Sequence, residues 1–178
     1  MDAFASLGLP VRLVVSEEEI REAFRLKAGL EHPDAGGDAG EFAKLQAARE
    51  VLLSPARRLM AWLEIQGQSV EARGEIETGL VDLFQKVAAV GAEAEAAIKT
   101  YGKAQSSLAK ALAEVRLIAQ REQVSELLAE VAVSIRSRSG RFAEIDAGAE
   151  FDAAQEVRNL RFLEKWQAGL KGIYGRLL

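Results

Sequence analysis

The stretch SEEEIREAFRLKAGLEHPDAGGDAGEFAKL, residues 16–45, carries the punctuation that decides the fold. Ser16 opens it and Glu19 follows three residues later, a capping box. In that arrangement the serine oxygen accepts from an early helical N–H and the glutamate reaches back to the serine N–H. The acidic first turn, Glu17 to Glu19, complements the positive end of the helix dipole. Ile20, Ala23, Phe24 and Leu30 then supply an inward face for a helix over 17–31. Pro33 stops it, because proline lacks an N–H and disfavours helix in the residue before it. Residues 35–40, Ala-Gly-Gly-Asp-Ala-Gly, read as an exposed turn. Asp38 with Glu41 repeats the cap, and Phe42, Leu45, Ala48 and Leu52 mark the next helical stripe. The two helices are expected to run antiparallel, with His32-Pro33-Asp34 at their junction. His32 is the only histidine of the chain. Its ring can donate and accept hydrogen bonds, and with the Asp34 carboxylate it sits on a loop tip stiffened by proline. Such a tip is suited to touching a partner.

Working outward, Ser54-Pro55 marks another start, with serine as N-cap and proline at the first helical position. The pattern predicts a short helix over 55–66, carrying Leu59, Trp62 and Leu63 and closed by Gly67. Beyond Ser69 there is no further proline, and apolar positions recur at helical spacing over long stretches. Helices are predicted over roughly 70–101, 104–138 and 149–177, separated near Gly102 and by Ser137-Arg138-Ser139-Gly140. Three long helices with short connections most naturally form an antiparallel bundle. In the last one Leu163, Trp166, Leu170, Ile173, Tyr174 and Leu177 share a side. Trp62 and Trp166 are assigned to core packing or to a seam between domains.

Composition narrows the function classes. With 178 residues, 49% of them hydrophobic, and three prolines, the chain suits one or two small helical domains with a real core. The net charge of −4 argues against a general nucleic-acid binder. The chain has no cysteine, so no disulfide, thiol nucleophile or thiolate metal site is expected. No apolar run approaches the ~20 residues of a membrane span, and no basic-then-apolar leader opens the chain. A soluble cytoplasmic protein with no cofactor and no metal is expected. There is no glycine-rich phosphate loop, metal-ligand cluster or nucleophile–base pair, so an enzyme is disfavoured.

The opening Asp2-Ala3-Phe4 with Leu7-Gly8-Leu9-Pro10, the helix from Glu19 to Leu30, His32-Pro33-Asp34, and the helix from Phe42 to Leu53 together resemble a J-domain. J-domains are helical modules that stimulate ATP hydrolysis by DnaK-type chaperones. The run Phe151-Asp152-Ala153-Ala154, Val157-Arg158 and Leu160-Arg161-Phe162-Leu163-Glu164-Lys165 is similar to the terminal helix of the HscB family, co-chaperones of iron–sulfur cluster biogenesis. The N-terminal opening is similar to that family as well. The resemblance implies an all-α protein: an N-terminal J-domain, an antiparallel helical hairpin plus short helices, over 1–66, then a C-terminal three-helix bundle over 70–178.

By the same resemblance, His32, Pro33 and Asp34 engage an HscA/DnaK-type chaperone ATPase, together with the basic residues Arg21, Arg25 and Lys27 of the preceding helix. These are interleaved with Glu18 and Glu22. The bundle is implied to dock an IscU-type iron–sulfur scaffold through Leu80, Val81, Phe84 and Phe162. Phe162 lies about 60° from the centre of its helix's apolar stripe, at ~100° per residue, a position open to either core edge or exposed contact. Two other readings stay open at this point. One is a J-protein for a different client, and the other a helical interaction scaffold without chaperone activation.

Overall fold

The structure, a computed structural model, describes residues 2–31, 37–71 and 74–178. Helices dominate and no strand occurs among the described residues. In chain order they are α1 (Ala3–Leu7), α2 (Glu17–Glu31), α3 (Ala39–Leu53), α4 (Pro55–Ile65), a 3-10 turn (Thr78–Leu80), α5 (Val81–Lys103), α6 (Ser107–Gly140), α7 (Phe142–Asp146) and α8 (Ala153–Arg176).

The early helices begin where their caps place them. Ser16 Oγ accepts from Glu19 N at 3.1 Å while Glu19 Oε2 accepts from Ser16 N at 2.8 Å, the reciprocal box. Asp38 Oδ1 accepts from Glu41 N at 2.8 Å, and Ser54 Oγ from Arg57 N at 3.2 Å. α1 is capped by Asp2, whose Oδ1 accepts from Phe4 N and Ala5 N, and it ends at Gly8 in the left-handed region at φ 70°. Gly67 closes the α4 end in the same region, at φ 75°.

The chain divides into two compact units, Met1–Arg73 with Arg138–Leu160, and Gly74–Ser137 with Arg161–Leu178. In the first unit Phe4, Leu7, Ile20, Leu45, Ala48 and Leu52 form one buried cluster. A second gathers Leu13, Leu59, Leu63, Phe142, Ile145, Val157 and Leu160, and the half-buried Trp62 packs against both. Polar ties fix the extended segment at residues 13–15. Asp146 accepts from Leu13 N at 2.8 Å and from Val14 N at 2.9 Å. The buried Arg58 donates from Nη1 to the carbonyls of Leu13, at 3.0 Å, and Val15, at 2.5 Å. Its guanidinium also lies 5.8 Å from the Phe142 ring centroid. These side chains satisfy backbone groups that would otherwise have to find a sheet or water.

The second unit is a bundle built on apolar stripes. Leu83 and Ala94 of α5, Val124, Leu127 and Val131 of α6, and Leu163, Trp166 and Leu170 of α8 are buried together. Arg176 of α8 pairs with Glu95 of α5 on its surface. The hydrogen bond between them, helped by their opposite charges, lowers the Glu95 pKa and raises that of Arg176.

Three expectations need correction. The first bundle helix starts at Val81 rather than near residue 70. The segment before it carries Gly74 at φ 143°, a conformation L side chains rarely adopt, and Glu77 is extended. The break expected at 137–140 comes at Arg141, since α6 runs to Gly140. The weak helix formers there cost ~1 kcal/mol or less each. They are carried by buried Ile135 and Phe142 on either side and by Arg138, which reaches the buried Glu156 at 2.9 Å. A short helix, α7, follows instead. Finally Leu30 is 77% exposed, whereas Ile20 and Ala28 are the buried residues of α2.

Candidate functional site

The loop residues His32, Pro33 and Asp34 lie outside the described residues. The helices that flank them are fully placed. α2 packs on α3 through Ile20 and Phe24, with the Phe24 and Phe42 rings 6.3 Å apart and the Arg49 guanidinium 4.9 Å from the Phe24 centroid. That packing joins the two helices on either side of the tripeptide.

The three basic residues of α2 differ in their surroundings. Arg21 and Arg25 are exposed, and each is paired along its own helix, Arg21 with Glu17 at 2.7 Å and Arg25 with Glu22 at 3.4 Å. Exposed pairs of this kind contribute about 0.2–1 kcal/mol, so either pair is broken at small cost. Lys27 is half-buried and turned inward, its Nζ donating to the Ser6 carbonyl at 2.8 Å. It caps the negative end of α1. The sequence places Lys27 with the two arginines. The structure separates it from them, because the orphan carbonyls of a short helix lie within its reach.

On the bundle, the structure brings together Phe84 and Phe162 through a residue the sequence had given to the core or a seam. Trp166 stacks 6.1 Å from Phe162 and lies 5.8 Å from Phe84, ring centroid to centroid. Phe84 is 47% exposed, Phe162 and Val81 are half-buried, and Trp166 forms the buried floor. Leu80, expected on this face, is instead buried at 6% exposure, because the 3-10 turn ahead of α5 directs it into the bundle. A sequence signal for Trp166 was available: it stands four residues after Phe162, one helical turn along the same side.

No group of three or more His, Cys, Asp or Glu side chains able to hold a metal occurs among the described residues. No helix of the described residues is long and apolar enough to cross a membrane.

Comparison with known proteins fits this architecture. No known family description matches the chain. One curated relative, chaperone protein dnaJ A6 from rice, Oryza sativa subsp. japonica, is 42% identical over 52 residues. That is 29% of this chain and 12% of the relative, so the chain spans about an eighth of that protein's length. Among solved structures, chaperone HscB from Vibrio cholerae matches over 100% of both chains with a TM-score of 0.56 at 20% identity. The chain is all-α and has the HscB fold, with an N-terminal J-domain arrangement followed by a C-terminal helical bundle.

Proposed function

We propose that this chain is a J-domain co-chaperone that stimulates the ATPase of an HscA/DnaK-type chaperone and presents to it an IscU-type iron–sulfur scaffold held on the bundle. The observation that carries the reading is the likeness in fold to HscB along the full length of both chains, with the dnaJ A6 match beside it. In this reading His32, Pro33 and Asp34 form the contact that triggers hydrolysis, and Arg21 and Arg25 add electrostatic guidance on the adjoining helix. Proline restricts the loop before binding, which reduces the entropy lost on docking. Asp34 is an acceptor for a cationic donor on the chaperone, a hydrogen bond worth about 1.5–3 kcal/mol because one partner is charged. Lys27 supports α1 rather than the contact.

The scaffold is taken by the aromatic patch of Phe84 and Phe162 above Trp166, with the half-buried Val81 one helical turn before Phe84. An aromatic anchor of this kind costs about 2 kcal/mol or more when truncated at a protein interface, roughly a thirtyfold loss of affinity.

The deciding experiment is single-turnover ATP hydrolysis by a DnaK-type chaperone with and without the protein. Stimulation is expected from the natural sequence and is abolished in His32→Gln and Asp34→Asn, whose far-ultraviolet circular dichroism and melting temperature stay unchanged. Undiminished stimulation by either variant sinks the chaperone contact. Calorimetric titration of an IscU-type scaffold tests the second half. Phe162→Ala and Phe84→Ala are expected to weaken binding while leaving ATPase stimulation in place, and normal binding by both variants moves the docking face elsewhere.

A further inference from the structure

Among the described residues, the largest run of exposed apolar side chains lies on the first three turns of α6. Leu108, Leu112 and Val115 are 72%, 63% and 66% exposed, and Ile118 is 45% exposed. With Ala111 and Ala119, also exposed, they cover one side of the helix. Leu108, Leu112, Val115 and Ala119 follow the four–three–four spacing of a helix-pairing seam, flanked by Ala111 and Ile118. The opposite side of the same helix, at Ala113, Leu117 and Val124, already packs within the bundle. The block 108–119 is about 18 Å long at 1.5 Å per residue. Contiguous apolar surface of this kind on a soluble protein marks a contact site.

Charge along the same side decides what fits it. Past the apolar block the exposed side turns acidic, at Glu122 and Glu126. At its other end stand the α6 N-terminus, with its partial positive charge, and the exposed Lys103 at the end of α5. The seam is therefore apolar in the middle, basic at one end and acidic at the other.

We infer that this face of α6 pairs with the same face of a second copy of the chain, antiparallel about a twofold axis between Leu112 and Val115. In that register Leu112 packs against Val115 of the second copy and Leu108 against Ala119. Glu122 then lies opposite Gln105 of the second copy, beside its Lys103 and its α6 N-terminus. A parallel pairing sets Glu122 against Glu122 and is disfavoured by like charge. Arg116, at the edge of the seam, meets Ala109 of the second copy and no cation. A helix-on-helix contact of this length falls in the small class of protein interfaces, so the dimer is a weak, concentration-dependent one.

Sedimentation equilibrium of the full chain between about 5 and 500 μM tests it, since association shows as a concentration-dependent mass. A monomer–dimer equilibrium is expected. Leu112→Glu and Val115→Glu, at exposed positions, are expected to raise the dissociation constant at least about tenfold with unchanged melting temperature. Glu122→Lys weakens association as well, and the double change Glu122→Lys with Lys103→Glu restores it, which a general loss of solubility or stability does not do. A monomer at every concentration, a dimer insensitive to Leu112→Glu and Val115→Glu, or no rescue by the charge exchange overturns the proposal.

Discussion

The N-terminal unit and the bundle unit solve the same problem, burying helix faces, by different means. In the first, short helices are started by side-chain caps, and the connection between α1 and α2 is tied down by specific polar contacts. Asp146 and Arg58 hold Leu13, Val14 and Val15 through their backbone groups. In the second, long helices rely on repeated apolar positions, and charges stay mostly on the surface, as in Arg176 with Glu95 and Lys86 with Glu130. The difference teaches where each unit is vulnerable. The bundle loses stability mainly through lost volume in its core, whereas the N-terminal unit also loses it through single polar atoms.

The largest effect that sharpens this contrast is a cavity in the bundle. Leu163 is fully buried among α5, α6 and α8 side chains. Leu163→Ala is expected to destabilise the protein by about 2–5 kcal/mol, read from denaturant unfolding. A loss under about 1 kcal/mol would contradict a well-packed stripe.

Next comes the polar clamp. Asp146→Ala leaves the Leu13 and Val14 N–H groups without their acceptor, at an expected cost of about 1–3 kcal/mol. The matched change Glu130→Ala on the bundle surface removes only its exposed pair with Lys86, expected to cost about 1 kcal/mol or less. Equal losses from the two changes would erase the distinction between the units.

Phe84→Ala is predicted to have a smaller effect still. Its ring contacts Trp166 but is nearly half exposed, so a stability loss of about 1 kcal/mol is expected by thermal melting, beside a larger loss of scaffold binding. A loss of several kcal/mol would place Phe84 in the core.

The smallest effect is that of pH on the α2 cap. The Glu19 pKa is lowered, first by the hydrogen bond from the Ser16 backbone N–H, then by the Ser16 side chain and by Arg12. A depressed carboxyl pKa stabilises the folded state above the unfolded value, and that contribution is lost as pH falls from about 4.3 through the lowered folded value. Titration followed by NMR is expected to place the Glu19 midpoint below the ordinary glutamate value of about 4.3. Ser16→Ala removes the hydroxyl but keeps the backbone N–H, so it is expected to raise the midpoint only part of the way, and no change in that variant would remove the Ser16 hydroxyl as a contributor.

Much of the fold was legible in the sequence because its signals are local. The Ser16–Glu19 box, Asp38, Ser54-Pro55 and Gly67 each act within a few residues, and the α2, α3 and α4 starts appear where those signals stand. The apolar stripes of α3 and α8 are local in the same sense. The site was legible only as residue types. Phe84 and Phe162 are read separately, and Trp166, read as core packing or a seam between domains, is buried in the bundle core and is also the ring that joins them.

By itself the sequence determined an all-helical chain, the order of its main helices, and the tripeptide held between the second and third of them. Caps, proline and the helical period operate over one or two turns, so a linear reading reaches them. Only the tertiary structure decided that Leu80 turns inward, that Lys27 serves the end of α1, that a short α7 follows α6, and that Asp146 caps a backbone segment 133 positions away. Those outcomes depend on which buried group needs a partner and which cavity needs filling, and such needs exist only after distant elements have packed together.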